Sequence, residues 1–120
     1  WRERGYAEVP NTRTGQVMRV GTGTLDEIEQ HARGRLDIGA AAERIAAPWL
    51  VVHGTADESV PISEGERLAR LGGPEITTWL PVEGAGHTFG AVHPWQPAAD
   101  AELVFDATLQ FLASALLRST

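Results

Sequence analysis

Two residues in the chain have types and spacing that can move a proton. Asp57 lies in His53-Gly-Thr-Ala-Asp57-Glu-Ser-Val-Pro61, and His87 lies in Glu83-Gly-Ala-Gly-His87-Thr-Phe-Gly90. A carboxylate at the Nδ1–H of an imidazole fixes the ring's tautomer and stabilises the imidazolium that forms when Nε2 accepts a proton. Each residue has an ordinary reading as well. An Asp in such a loop can close an Asx-type turn with its own backbone, and a lone loop histidine can simply be solvated. The two gain force together, because each follows a run that reads as a strand and the two strands read as neighbours. A carboxylate oxygen is then expected roughly 2.6–3.2 Å from a ring nitrogen.

The elements that must position them come next. Trp49-Leu-Val-Val-His53 is a short apolar run after a Pro and before a Gly, the pattern of a strand covered on both faces. Gly54 to Pro61 reads as a loop. Ser63 and Glu66 have capping-box spacing and open an expected helix that carries Leu68 and Leu71 and stops at Gly72-Gly73-Pro74. Ile76-Thr-Thr-Trp-Leu80 reads as a second strand, placed at a sheet edge by Pro81, which has no amide proton to donate. A loop follows from Glu83 to about Ala101. Phe105, Leu109, Leu112 and Leu116 then fall on one face of a final helix, with Glu102, Asp106, Gln110 and Ser114 on the other side, so this stripe is expected to pack on the sheet. Sequential strands joined by a helix pair in parallel, and ligands of such sheets sit at the carboxyl ends of the strands. Upstream, Tyr6–Val9 and Gln16–Val20 flank Pro10–Gly15 as an expected hairpin. Thr24 and Glu27 form a second capping-box pair opening a helix to Arg33, ended by Gly34. Asp37 is expected to cap a helix from Ile38 to Ile45.

The pairing of Leu50-Val-Val-His-Gly-Thr-Ala-Asp57-Glu-Ser-Val-Pro61 with Gly84-Ala-Gly-His87 resembles the C-terminal third of the α/β-hydrolase superfamily, in its dienelactone-hydrolase, carboxylesterase and prolyl-oligopeptidase-like branches. There the acid follows the penultimate strand in a His-Gly-x-x-Asp-x-x-Val-Pro pattern, and the base follows the last strand as Gly-x-Gly-His. The likeness covers Pro48 to Leu117 and says little about substrate. It implies an α/β fold, the C-terminal part of a three-layer hydrolase, with residues 48–120 forming its strand-helix-strand-helix portion. Residues 1–47 would be the hairpin and helical excursion before the penultimate strand. It implies Asp57 as the triad acid and His87 as the general base, with no cofactor. The family's nucleophile sits in a G-x-S-x-G elbow, and none of Ser59, Ser63, Ser114 and Ser119 has that context. The chain opens at Trp1 without a Met, and the expectation is therefore a C-terminal fragment of a serine hydrolase, inactive alone, whose nucleophile lies upstream. An upstream Asp nucleophile would instead mean dehalogenase- or epoxide-hydrolase-like chemistry. The other class of reading is a non-catalytic α/β-hydrolase-fold binding or interaction protein.

Other residues compete for roles. Glu58 is an alternative acid beside Asp57. His53 reads as packing or bonding locally at the end of its strand, and His93 as a solvated loop residue or part of the site entrance. Trp95 and Phe89 can wall a substrate or cover the last helix. A metal site from His53, Asp57, His87 and His93 has suitable N and O ligands but no H-E-x-x-H spacing, and no metal is expected. His31 has no role.

Composition narrows the classes. The 120 residues carry 10 basic and 16 acidic side chains, a net charge of −6, which argues against a nucleic-acid partner. Every basic residue is Arg, which removes lysine Schiff bases and P-loop lysines. There is no Cys, hence no thiolate nucleophile, disulfide or cysteine zinc site. The apolar run Ala46–Val52 is too short to span a bilayer, no signal-peptide pattern opens the chain, and a cytoplasmic bacterial protein is expected. The expected partners are a small ester or peptide substrate, and either the missing N-terminal part of the parent or a second copy docking on the open strand edge at Trp49–His53.

Overall fold

The computed structural model describes residues 1–11 and 14–117. The chain divides into two units, Trp1–Ala40 and Ala41–Thr120.

In the first unit, β1 (Tyr6–Pro10) and β2 (Val17–Gly21) form an antiparallel hairpin with Glu8 opposite Arg19. Tyr6 lies under the guanidinium groups of Arg4 and Arg19, at 5.0 and 4.6 Å from the ring centre, and Arg19 also reaches Glu8. These cation–π and ionic contacts hold the hairpin's exposed face together. Helix α1 (Gly23–His31) starts a residue before Thr24 and makes no side-chain cap bond. The Thr24–Glu27 capping box therefore does not form, because Thr24 already lies inside the helix, where its backbone is part of the first turn. Arg2 ties the hairpin's lead-in to α1 through Asp26 and Glu29, and Glu27 pairs with Arg35. The helix also stops short of Arg33, with Ala32 at its C-cap. Asp37 Oδ1 accepts the amide of Ala40 at 2.9 Å, the expected cap, but α2 (Ile38–Ala42), whose last two residues already belong to the second unit, is a little over one turn and does not reach Ile45.

In the second unit, β3 (Trp49–Gly54) and β4 (Thr77–Val82) pair in parallel, Val51 opposite Trp79 and His53 opposite Pro81. The ladder opens with the Trp49 amide on the Ile76 carbonyl at 2.7 Å and ends with the Thr55 amide on the Val82 carbonyl at 3.0 Å. Helix α3 (Ile62–Leu71) connects the strands and packs on both. It covers the face bearing Trp49, His53, Thr77 and Trp79, and Gly65 permits the approach: a Cβ there would stand 2.7 Å from Nδ1 of His53. Pro61, in extended conformation, precedes α3 and no side-chain cap forms. The expected Ser63–Glu66 box is absent because the helix begins at Ile62, so that Ser63 falls within its first turn. At the other end the Gly72 amide closes on the Leu68 carbonyl at 3.1 Å, and the helix stops where the glycines predict.

Helix α4 (Ala99–Leu117) lies on the other face, giving a helix–sheet–helix arrangement, a small α/β unit with a two-stranded parallel sheet. Its orientation differs from expectation. Phe105, Leu109, Leu112 and Leu116 are 55%, 66%, 50% and 70% exposed. The residues turned inward are Ala101, Val104, Thr108, Phe111 and Ala115, a row about a quarter turn away at ~100° per residue. The helix is apolar over more than one face, so its pattern does not choose between two rows, and the row with the smaller side chains lets the helix come closer. Thr108 joins that row with its hydroxyl satisfied, donating to the Val104 carbonyl at 2.7 Å. Among the described residues no helix is long and apolar enough to cross a membrane.

Candidate functional site

The carboxyl ends of β3 and β4 carry two loops, and backbone bonds fasten them to each other before any side chain of the site is considered. The Ala56 amide donates to the Ala85 carbonyl at 3.0 Å. Thr55 Oγ1 accepts the Gly84 amide at 2.8 Å. Gly54 is buried directly against Ala85 and Gly86, and a Cβ there would run into their carbonyl groups. His-Gly-Thr-Ala-Asp is thus a run in which each residue has a mechanical task at the junction of the loops.

Asp57 emerges from this run with its side chain 6% exposed. Its Oδ1 accepts the amides of Ser59 and Val60 at 2.8 and 3.0 Å. Its Oδ2 meets Nδ1 of His87 at 2.9 Å. The Asx turn and the histidine contact, which the sequence offers as alternatives, occur together, one on each oxygen. The amide of Val60, then the His87 ring, and more weakly the amide of Ser59, hold the carboxyl down at about 2, against the opposing effect of partial burial. Asp57 is therefore ionised throughout the neutral range and accepts from His87. With Nδ1 donating, the neutral ring carries its lone pair on Nε2. The His87 side chain is 58% exposed. The pair is a carboxylate fixed from three sides and an imidazole turned outward, an arrangement that can take a proton from a group docked at Nε2.

His53 takes part in a way its sequence context only partly signals. Its Nε2 bonds the Val60 carbonyl at 2.9 Å and stands 3.6 Å from Asp57 Oδ2, and its ring is tilted against Trp79. It braces the turn that holds Asp57. The bracing roles of Thr55 and of the Ser59 and Val60 amides leave no periodic signal; the Asp-x-Ser spacing of an Asx turn is the one clue to the last of them. Glu58 is exposed beside Asp57. Phe89 is half-buried, in a left-handed backbone conformation at φ 52°. His93 is exposed, and Trp95 packs on Phe105 of α4 at 5.9 Å between ring centres. His31 lies 3.9 Å from Glu27. Among the described residues no three His, Asp or Glu side chains gather in a cluster that could hold a metal ion.

No protein-family model matches the chain, and no curated protein matches it.

Proposed function

We propose that Asp57 and His87 are the acid and base of a serine hydrolase of the α/β-hydrolase type. In this reading the chain forms the C-terminal part of the enzyme, and a serine on a segment outside these residues supplies the nucleophile. The observation that carries the reading is the 2.9 Å contact of Asp57 Oδ2 with His87 Nδ1 at the carboxyl ends of two parallel strands, where open α/β sheets place their ligands. The motifs that resemble the superfamily supply the two residues, and the exposed ring of His87 leaves Nε2 available to a hydroxyl.

The chemistry assigned to the pair is acyl transfer to water from an ester, or from a peptide. Nε2 of His87 takes the serine hydroxyl proton as the oxygen attacks the carbonyl, then gives it to the leaving group, which departs with formation of the acyl-enzyme. The ring next takes a proton from water, which attacks the acyl carbon, and returns it to the serine oxygen as the acid is released. Asp57 stays ionised throughout and stabilises the imidazolium.

The test is hydrolysis of a p-nitrophenyl ester, with fluorophosphonate labelling, by the longer polypeptide that contains these residues. His87→Ala is expected to lower turnover by a factor of about 10⁴–10⁶, and the probe should label a serine outside the 120 residues. The 120-residue chain alone should hydrolyse the ester no faster than free imidazole. Undiminished turnover in His87→Ala, or strong turnover by the 120 residues alone, would place the chemistry elsewhere.

A further inference from the structure

Asp57 faces two imidazoles with one oxygen. Nδ1 of His87 lies 2.9 Å from Oδ2, and Nε2 of His53 lies 3.6 Å from it. The two rings are placed oppositely: the His87 side chain is 58% exposed and that of His53 12%. The acyl-transfer steps use the outer ring and give the inner one no part.

The inner ring has a defined orientation. Its Nε2 bonds the Val60 carbonyl at 2.9 Å. A carbonyl only accepts, so Nε2 carries the hydrogen. Val60 is also the residue whose amide donates to Asp57 Oδ1 at 3.0 Å. His53 thus holds, by its carbonyl, the same residue that holds the carboxylate by its amide. With Oδ1 fixed by the amides of Ser59 and Val60, the carboxylate is kept from rotating and Oδ2 stays directed at His87.

The ring is in turn seated against α3. A Cβ on Gly65 would stand 2.7 Å from Nδ1 of His53, 3.0 Å from its Cγ and 3.0 Å from Cη2 of Trp79. The imidazole therefore occupies the space that a side chain at position 65 would take. Trp79 closes the seat from β4, with ring centres 6.4 Å apart. Glycine is less favourable than Ala in a helix interior, and here its missing side chain admits the ring.

We propose that His53 is a positioning residue of the acid–base pair: seated in the gap at Gly65, it fixes Val60 through its Nε2–H and so fixes the direction in which Asp57 presents Oδ2 to His87. The step from this geometry to turnover rests on the hydrolase reading; the geometry does not. The Val60 amide is foremost among the groups that hold the Asp57 carboxyl at about 2, against the usual 3.8. A Val60 released from His53 lets the carboxyl climb back, and losing the His53 N–H near Oδ2 acts in the same direction. Of the other titratable groups beside Asp57, His87 is unchanged in every variant below and Glu58 is exposed; α3 presents only Gly65 to the ring.

The test is carbon-13 titration of the Asp57 carboxyl in the 120-residue chain, with exchange of the Val60 amide followed at neutral pH. His53→Phe removes the N–H, and Gly65→Ala displaces the ring with its chemistry intact. Each should raise the proton affinity of the carboxyl about tenfold and quicken Val60 exchange by a similar factor. His53→Gln offers an amide N–H as many bonds from the backbone as Nε2, and should hold the affinity within about twofold of wild type. Leu50→Ala weakens the same strand from its α4 face and should move neither quantity. In the longer polypeptide, His53→Phe should lower kcat about 10–10²-fold at nearly unchanged KM, and His53→Gln should recover it. Should His53→Phe fail to fold, Gly65→Ala set against His53→Gln decides the matter. A carboxyl that titrates as wild type in Gly65→Ala, His53→Gln behaving as His53→Phe, an equal shift in Leu50→Ala, or unchanged kcat of His53→Phe in an active polypeptide overturns the proposal. A wild-type polypeptide without esterase activity would overturn the hydrolase reading alone, and the titration would still decide for His53.

Discussion

Nε2 of His53 stands 3.6 Å from Oδ2 of Asp57, the same oxygen that meets His87, while bonding the Val60 carbonyl at 2.9 Å. The ring sits at the back of the turn whose front holds the outward histidine. Replacing it with Phe keeps the contact with Trp79 and removes the bond to Val60, leaving a half-buried carbonyl without its partner. His53→Phe is expected to destabilise the second unit by about 1 kcal/mol, read as a lower midpoint in urea at unchanged slope. A midpoint equal to wild type would mean that the turn holds itself.

The tautomer of His87 depends on the charge of its partner. With an ionised Asp57 accepting, Nδ1 carries the proton of the neutral ring. Asp57→Asn can keep its oxygen on the Ser59 and Val60 amides, which turns the amide NH₂ toward His87. Nδ1 must then accept, and the proton moves to Nε2. Nitrogen-15 shifts of the neutral ring should show Nδ1–H in the wild type and Nε2–H in Asp57→Asn. The same tautomer in both would show that the 2.9 Å contact does not govern the ring. In the longer polypeptide the substitution should cost about 10⁴ in turnover, because the lone pair would no longer face the substrate.

These expectations depend on what the sequence discloses and what it does not. The parallel strands were legible because Trp49–His53 and Ile76–Leu80 are short apolar or β-branched runs bounded by Gly and Pro, and the connecting helix between them is long enough for a crossover. The approach of Asp57 to His87 follows from that pairing once both loops are placed at the same end of the sheet. The helix starts were less legible. Thr24 and Ser63 have cap chemistry at cap spacing, but the backbone turns helical a residue before each, and no local pattern fixes that offset. The orientation of α4 was hidden for another reason. Ala101, Thr108 and Ala115 have too little apolar character to outweigh Phe105 and three leucines in any count, yet they permit the closer approach to the sheet.

Acid should act on the site through Asp57. Its carboxyl is held at about 2, below the usual 3.8. A depressed carboxylate contributes stability that is complete above its unfolded value and disappears as pH falls through its folded value. The contribution of Asp57 should therefore be intact down to about pH 4 and be lost between about pH 4 and 2. Carbon-13 titration of the Asp57 carboxyl should give a midpoint near the lower end of that window. Asp57→Asn should flatten this part of the stability–pH curve. A carboxyl midpoint near 4 would show that the amides of Val60 and Ser59 and the His87 ring do not hold it.

Thr55 joins the loops by a side chain where the neighbouring bonds are backbone. Its Oγ1 accepts the Gly84 amide at 2.8 Å, and Val would fill nearly the same space without the oxygen. Thr55→Val is expected to cost about 1 kcal/mol. Amide exchange at Gly84 should quicken while exchange at Ala56, whose bond to Ala85 is untouched, changes less. Equal acceleration at both amides would mean that the loops open as one piece.

Two glycines of the paired loops should respond in opposite ways to the same change. A Cβ on Gly54 would strike the carbonyl of Ala85 and stand 2.9 Å from the Gly86 oxygen. These are backbone atoms already fixed by the Ala56–Ala85 bond, so nothing flexible can yield. A Cβ on Gly86 would meet nothing within 4 Å, although this glycine adjoins His87 and belongs to the second motif. Gly54→Ala must separate the two loops to fit. It is expected to cost about 2–4 kcal/mol and to release His87 from Asp57, seen as loss of the nitrogen-15 signature of the Nδ1–H tautomer. Gly86→Ala should stay within about 1 kcal/mol of the wild type and keep that signature. If Gly54→Ala retained both stability and tautomer, the contact of Gly54 with Ala85 would not be what brings Asp57 and His87 together.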